Sequence, residues 1–212
     1  MKCRGWAWVA LALSTTAMAG EVKVTVSGKG GLSGSGTVVT KLDDKGGRLQ
    51  RTRILLKSES GPSMSIFDES LCSSTGRPVR SLMKFSQGTK TLQSIGIEFG
   101  KNGAVIKVNN SGEAKTITRK LPSGKLEAPS DLWFVKTKPK SGATDEYYRI
   151  DSSTLEWEKI KVTYQGPQKV QIGGGKTVTG HLITHPKSKI WLDDKGDPLR
   201  IESASGITVV RA

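Results

Sequence analysis

Apolar and polar residues alternate with a period of two through most of the chain, and glycine-rich breaks interrupt the alternation at short intervals. Period two puts successive side chains on opposite faces of an extended strand, whereas a helix needs apolar residues three and four apart. Val22, Val24 and Val26 face one way and Lys23 and Thr25 the other, until Gly28-Lys29-Gly30-Gly31 ends the segment. A Val38-Val39 segment runs into Asp43-Asp44-Lys45-Gly46-Gly47, and Arg48 to Lys57 resumes beyond it as the far strand of a hairpin. Further strands are expected near residues 63–69, 79–86, 92–99, 104–108 and 115–120, with Asn102-Gly103 and Ser111-Gly112 supplying the positive-φ turn residues. Gly34-Ser35-Gly36 reads as a flexible turn.

Between Leu121 and Ala143 the alternation lapses. Pro122, Pro129 and Pro139 surround one compact apolar cluster, Leu132-Trp133-Phe134-Val135, and Pro129-Ser130-Asp131 can open a helical turn. The segment reads as a long crossover with one short helix. Alternation returns at Tyr147-Tyr148-Arg149-Ile150, and Ile160, Val162 and Tyr164 then stand against Lys159, Lys161 and Thr163. Trp157 is out of phase with Ile160, so a bulge is expected between them. Residues 169–172 and 176–184 flank Gly173-Gly174-Gly175 as another hairpin, and three short strands close the chain. The whole predicts about 13 strands in an antiparallel meander. The expected fold is all-β: one domain over residues 20–212, a large curved antiparallel sheet or half-barrel with one Pro-rich crossover and at most a short helix.

Residues 1–19 carry Lys2 and Arg4, an apolar run from Trp6 to Leu13, and Ala17-Met18-Ala19, the order of a signal peptide cleaved before Gly20. No later stretch approaches the roughly 20 apolar residues of a membrane-spanning helix. A periplasmic or secreted bacterial protein is expected. Cys3 departs with the leader, and the remaining Cys72 cannot make an internal bridge, so packing has to supply the stability.

Residues 20–120 hold 17 Lys and Arg against 8 Asp and Glu, and residues 121–212 hold 14 against 11. A field of that sign draws anionic partners, which outside the cytoplasm means lipid head groups or another anionic envelope component. The densest group is Arg48, Arg51, Arg53 and Lys57. No aromatic is interleaved with it, which argues against specific nucleic-acid binding by base stacking.

The C-terminal string Ile190-Trp191-Leu192-Asp193-Asp194-Lys195-Gly196-Asp197-Pro198-Leu199-Arg200-Ile201-Glu202, preceded by the crossover ending at Trp133 and by Val178-Thr179-Gly180-His181-Leu182-Ile183, resembles the strand-turn-strand ending of uncharacterised bacterial envelope proteins. Those proteins carry a half-barrel domain of unknown function like the lipoprotein carrier LolA. The resemblance covers under half the chain and carries over no residue roles. It implies a concave apolar face able to take an acyl chain or hydrophobic peptide, with a Lys and Arg rim for an anionic head group, unless the face is plugged by its own side chains or by Trp133 and Phe134. Trp157, Tyr164 and Trp191 are the candidate wall residues, since large aromatics on strands dominate apolar surfaces.

No catalytic motif emerges. His181 and His185 lie on one strand, too far apart along it to share a metal ion, and no third ligand is near. No Gly-x-Ser-x-Gly elbow occurs. Glu156 and Glu158 are flanked by Lys159 and Lys161 and read as a charge-balanced face. Leu42-Asp43-Asp44-Lys45-Gly46 and Leu192-Asp193-Asp194-Lys195-Gly196 repeat one turn chemistry without the acidic spacing of a calcium loop. The expectation is a non-enzymatic protein without metal or cofactor that binds a hydrophobic or amphiphilic ligand or a partner; the alternative is an envelope hydrolase with no recognisable motif.

Overall fold

The structure, a computed structural model, describes residues 20–59, 61–126 and 130–212. The expected leader lies outside the described residues. Hairpin follows hairpin through β1 (Gly20–Gly28), β2 (Leu32–Leu42), β3 (Arg48–Ser58), β4 (Gly61–Cys72), β5 (Pro78–Gln87), β6 (Lys90–Phe99), β7 (Gly103–Asn110) and β8 (Glu113–Lys120). The crossover then carries α1 (Ser130–Thr137), and the meander resumes in β9 (Thr144–Ile150), β10 (Trp157–Gln171), β11 (Thr177–His185), β12 (Ser188–Leu192), β13 (Pro198–Ser203) and β14 (Thr208–Arg211). Among the described residues all 14 strands join one antiparallel sheet in the order β8-β7-β6-β5-β4-β3-β2-β1-β14-β13-β12-β11-β10-β9. The all-β class and the single short helix of the crossover are as expected from the alternation.

The two ends of the strand series meet in the middle of the sheet, where β1 pairs with β14, and the edges are β8 and β9. Strands in a sheet turn by roughly 20–25° relative to their neighbours, so a sheet this long curls on itself. The curl brings the edges together without a ladder between them. Arg119 on β8 donates from Nε to the Leu155 carbonyl at 3.1 Å and pairs with Glu156. Trp157 donates from Nε1 to the Lys120 carbonyl at 2.7 Å, and its ring lies 6.3 Å from that of Phe99. The crossover covers the other edge, where Tyr148 N–H donates to the Lys125 carbonyl at 2.7 Å and Leu126 bridges Tyr148 in parallel. These contacts hold the C-terminal end of β8 and the middle of β9, while residues 113–118 of β8 stay largely exposed along the edge.

Inside the curl, one apolar cluster draws on strands of both halves, from Val24, Ile54 and Phe85 to Ile160, Ile183 and Val209, and takes Phe134 from α1. The inner face is therefore largely filled by the protein's own side chains.

Three sequence expectations need correction. Gly34-Ser35-Gly36 is the middle of β2, not a turn. Both glycines fall on the inward-facing positions shared with Val38. A Cβ at Gly36 would stand 2.1 Å from the Arg53 carbonyl oxygen, and one at Gly34 would stand 2.4 Å from that of Leu55. The backbones of β2 and β3 approach so closely only because no side chain intervenes, which is how glycine lets a sheet bend. Second, no bulge separates Trp157 from Ile160, since β9 and β10 stay in register from Trp157↔Ile150 to Thr163↔Thr144. As the first residue of its strand, Trp157 turns to the seam instead. The bulge lies between Tyr164 and Gly166, where Gly166 takes φ 92°. Third, residues 157–164 and 169–172 belong mostly to one strand running through that bulge.

The repeated Asp-Asp-Lys-Gly turns do share one geometry. Asp43 Oδ1 accepts from Lys45 N and Gly47 N at 2.9 and 2.6 Å, and Asp193 Oδ1 accepts from Lys195 N and Asp197 N at 3.0 and 2.9 Å. The positive-φ glycines are Gly46 and Gly196. The same backbone bonds recur at Ser73 to Arg77 and at Ser203 to Ile207, around Gly76 and Gly206. The signal is thus Asp or Ser, two residues, then Gly, and two of its four copies escape notice when only the aspartates are sought.

Candidate functional site

On β3 the residues Arg48, Gln50 and Thr52 occupy the same inward parity as Ile54 and Leu56, and all five are buried. The register carries this polar end of the inner face across neighbouring strands. Gln50 stands beside Ser70, Ser70 beside Ser81, and Ser81 beside Ile97; Thr52, Asp68, Met83 and Ile95 form the adjacent row. The face therefore passes from polar on β3 and β4 to apolar on β5 and β6 within about 15 Å, three strand spacings.

A cavity occupies this transition. Arg48, Gln50, Asp68 and Ser70 line one side, and Met83, Ile95, Ile97 and Phe99 line the other. Cys72 closes β4 beside it as a buried thiol without a disulfide. Ile150 and Ser152 reach in from the far half of the sheet. The free space is about 90 Å³. A methylene group fills on the order of 30 Å³, the share of a water in the liquid, so a short alkyl group fits without movement of the walls.

The turn after β9, which roofs the cavity, is held by charge. Asp151 Oδ1 accepts from the Ser153 backbone at 2.7 Å, from the Ser153 hydroxyl, and from Thr154 N at 3.1 Å. Burial pushes this carboxyl up, but those bonds and Lys187 outweigh it and leave it below the usual carboxylate range. Lys187 Nζ lies 3.5 Å from Asp151 and 3.1 Å from Glu158, and Glu158 also receives Arg149 at 3.3 Å. On the opposite side, Arg48 and Arg211 both act on the Asp197 carboxyl, yet burial and Asp193 prevail and raise it. His185, bonded to the Tyr147 hydroxyl at 3.4 Å, is pushed down to about 3 by burial and by the Arg149 guanidinium. It is a neutral ring at ordinary pH.

A second constellation closes the space under α1. Tyr164 Oη and His181 Nδ1 are 2.7 Å apart, and His181 Nε2 and Asp194 Oδ1 are 2.7 Å apart. The proton assignment that satisfies all three has the phenol donating to Nδ1 and the Nε2–H donating to the carboxylate. Phe134 packs on both rings, with centroids 4.7 Å from His181 and 5.6 Å from Tyr164. Burial, then the Asp194 charge, hold the phenol proton more tightly than usual. This hydrogen-bonded chain fastens the helix over the sheet, and a phenol of that kind is poorly prepared to act as a nucleophile.

The three candidate wall aromatics do not converge. Trp157 seals the seam, one ring away from Phe99 of the cavity wall. Tyr164 lies beneath α1. Trp191 packs with Val170, Leu182 and Leu199 in a separate cluster. Leu182 belongs to that cluster while its neighbour Ile183 belongs to the main core, so Trp191 stands on the outer face of the sheet. The cavity residues Arg48, Gln50 and Asp68 were not singled out as a site from sequence. Their signal was polarity on an inward parity position, visible in Arg48-x-Gln50-x-Thr52-x-Ile54 once the phase of β3 is known. Among the described residues, no cluster of three His, Cys, Asp or Glu side chains has metal-binding geometry, and no helix is long and apolar enough to cross a membrane.

These features define an all-β chain built as one long antiparallel sheet curled on itself, with a short helix in the crossover. The chain is similar in fold to a β-barrel-like protein of the domain of unknown function DUF1849 from Brucella abortus, with a TM-score of 0.58 and 11% sequence identity over 90% of this chain and 92% of that one. At that identity the likeness is one of fold. No protein-family model matches the chain, and no curated protein matches it.

Proposed function

We propose that this is an exported, non-enzymatic envelope protein that binds a small amphiphile, or one short apolar group of a larger one, in the cavity between β3 and β6. The observation that carries the reading is the division of the cavity wall, with buried Arg48, Gln50 and Asp68 facing Met83, Ile95, Ile97 and Phe99. Pockets of this kind orient a ligand by a few polar groups and hold it by apolar area. The resemblance of the C-terminal string to half-barrels of the lipoprotein-carrier type, and the leader-like first 19 residues, agree with an envelope setting.

The test is native mass spectrometry of mature protein purified without detergent, paired with thermal unfolding in short-chain alkyl phosphates and carboxylates. A ligand at a hundred times its dissociation constant stabilises the native state by about 2.7 kcal/mol, a rise of roughly 5–10 °C in a chain of this length. Ile97→Trp, which fills the apolar side, should abolish that rise while the folded spectrum persists. Ligand-free protein with no gain from any amphiphile, or a gain that survives Ile97→Trp, would overturn the proposal.

A further inference from the structure

The cationic residues of the first half divide by parity between the two faces of the sheet. Arg48 faces inward, whereas Arg51, Arg53 and Lys57 alternate on the exposed face of β3. The ladders extend that face sideways. Lys23 on β1 is in register with Thr37, Thr37 with Arg53, Arg53 with Phe67, and Phe67 with Lys84 on β5. Lys23, Arg53 and Lys84 therefore stand in one row on alternate strands, about 10 Å apart. We propose that this outer face of β1–β5 docks on an anionic lipid surface.

Three observations carry the proposal. The first is that the cations of this face outnumber its carboxylates. Glu69 is shared by Arg51 and Arg80 at 2.6 and 3.3 Å and Glu98 holds Lys107 at 3.3 Å, while Glu21 stands in the row of Arg51 through Val39 and is a carboxylate within the patch. Lys23, Arg53, Lys57 and Lys84 take part in no ion pair among the described residues, so no carboxylate neutralises them by direct contact.

The second is apolar side chains set between those cations. Leu55, 48% exposed, lies between Arg53 and Lys57 on the strand. Val39 and Leu49 line a shallow groove of about 300 Å³ with Lys41, Arg51 and Arg53, three cations against the one carboxylate of Glu21. Cations over scattered apolar groups suit a head-group layer, where the charges meet phosphates and the leucines enter the acyl boundary. A single-stranded nucleic acid needs open aromatic faces instead. The one aromatic in the row, Phe67, has its ring face covered by the Arg53 guanidinium at 5.8 Å.

The third is that the excess is one-sided. Residues 121–212 hold 14 basic against 11 acidic residues, and there Lys159 is paired with Glu146 and Arg200 with Glu202. The basic excess is thus concentrated in the half of the chain that builds β1–β8. The cavity lies behind this sheet, on its inner side, and the docking does not depend on its occupancy.

Flotation with vesicles tests the proposal, comparing equimolar phosphatidylglycerol and phosphatidylcholine with phosphatidylcholine alone at low and physiological salt. Binding to the anionic vesicles only, weakening with salt, is expected. Each surface cation near an anionic membrane contributes about a fivefold factor, so Arg53→Gln with Lys84→Gln should weaken binding about 25-fold. Lys159→Gln with Lys161→Gln, on the other half, should leave it within about twofold by the same reasoning. Leu55→Ser should weaken it further at high salt, where charge is screened. All these sites are exposed, and unchanged melting temperatures verify the fold. Equal binding to neutral vesicles, an unaltered Arg53/Lys84 double variant, or tighter binding of single-stranded DNA than of the anionic vesicles would overturn the proposal.

Discussion

Gly36→Ala tests whether glycine on the inward face of β2 is what permits the bend of the sheet, and Gly96→Ala supplies the control. Both positions lie inside strands and look alike in sequence. A Cβ at Gly36 would meet the Arg53 carbonyl oxygen at 2.1 Å and Ile54 Cγ1 at 2.9 Å, whereas one at Gly96 meets nothing closer than Leu82 Cδ1 at 3.9 Å. Carbon-to-carbonyl contacts begin near 3.3 Å, so β3 would have to retreat by about 1 Å along the bonds that join it to β2. Overpacking of that kind costs roughly 1–3 kcal/mol or somewhat more, and here the obstacle is backbone, which cannot swing aside as a side chain can. The loss of unfolded-chain freedom returns only about 0.4–1 kcal/mol in either variant. Gly36→Ala should therefore be destabilised by about 2 kcal/mol, and Gly96→Ala should be neutral or gain up to about 1 kcal/mol. Urea unfolding followed by far-ultraviolet circular dichroism measures both. If Gly36→Ala proves as stable as Gly96→Ala, the account of the bend is wrong.

Three further outcomes follow from the same geometry. His185, about 3 when folded and ordinary when unfolded, binds its proton only in the unfolded chain between those values. Stability it contributes is thus full above pH 6.5 and declines as pH falls, by about 2 kcal/mol at pH 5. The wild type should lose that much more than His185→Gln between pH 7 and 5 in urea titrations, and parallel losses would refute it. Asp193→Ala should cost about 1–2 kcal/mol more than Asp43→Ala, because Asp193 adds a 2.9 Å bond to Arg211 that its counterpart at residue 43 does not make; equal urea midpoints would count against this. Trp157→Phe keeps the contact with Phe99 but removes the bond to Lys120, so about 1 kcal/mol and faster amide exchange along β8 are expected. Unchanged exchange would mean that the seam is held elsewhere.

Much of the fold was legible from the residues alone. The alternation marks the strands and their hairpin order, the proline-bounded Leu132-Trp133-Phe134-Val135 cluster marks the interruption, and Asp43 and Asp193 announce one turn chemistry. These are relations between residues a few positions apart, and local geometry enforces them wherever the chain runs. What alternation could not supply was phase over a distance. Trp191 faces outward because Ile190 and Leu192 on either side of it belong to the inner core, and the phase of β12 is fixed only by its ladder to β11, where Leu182 stands opposite Trp191. Gly34 and Gly36 look like any loosely ordered glycines until β3 is placed beside them.

The cavity belongs wholly to this second kind of information. Its polar wall comes from β3 and β4, its apolar wall from β5 and β6, and Ile150 and Ser152 arrive from about a hundred residues further along the chain. Strand identity was determined by the sequence, since period two is a property of neighbours. The curl of the sheet, and so the faces turned inward and outward, was decided only in the tertiary structure, where twist accumulates over 14 strands until distant segments touch.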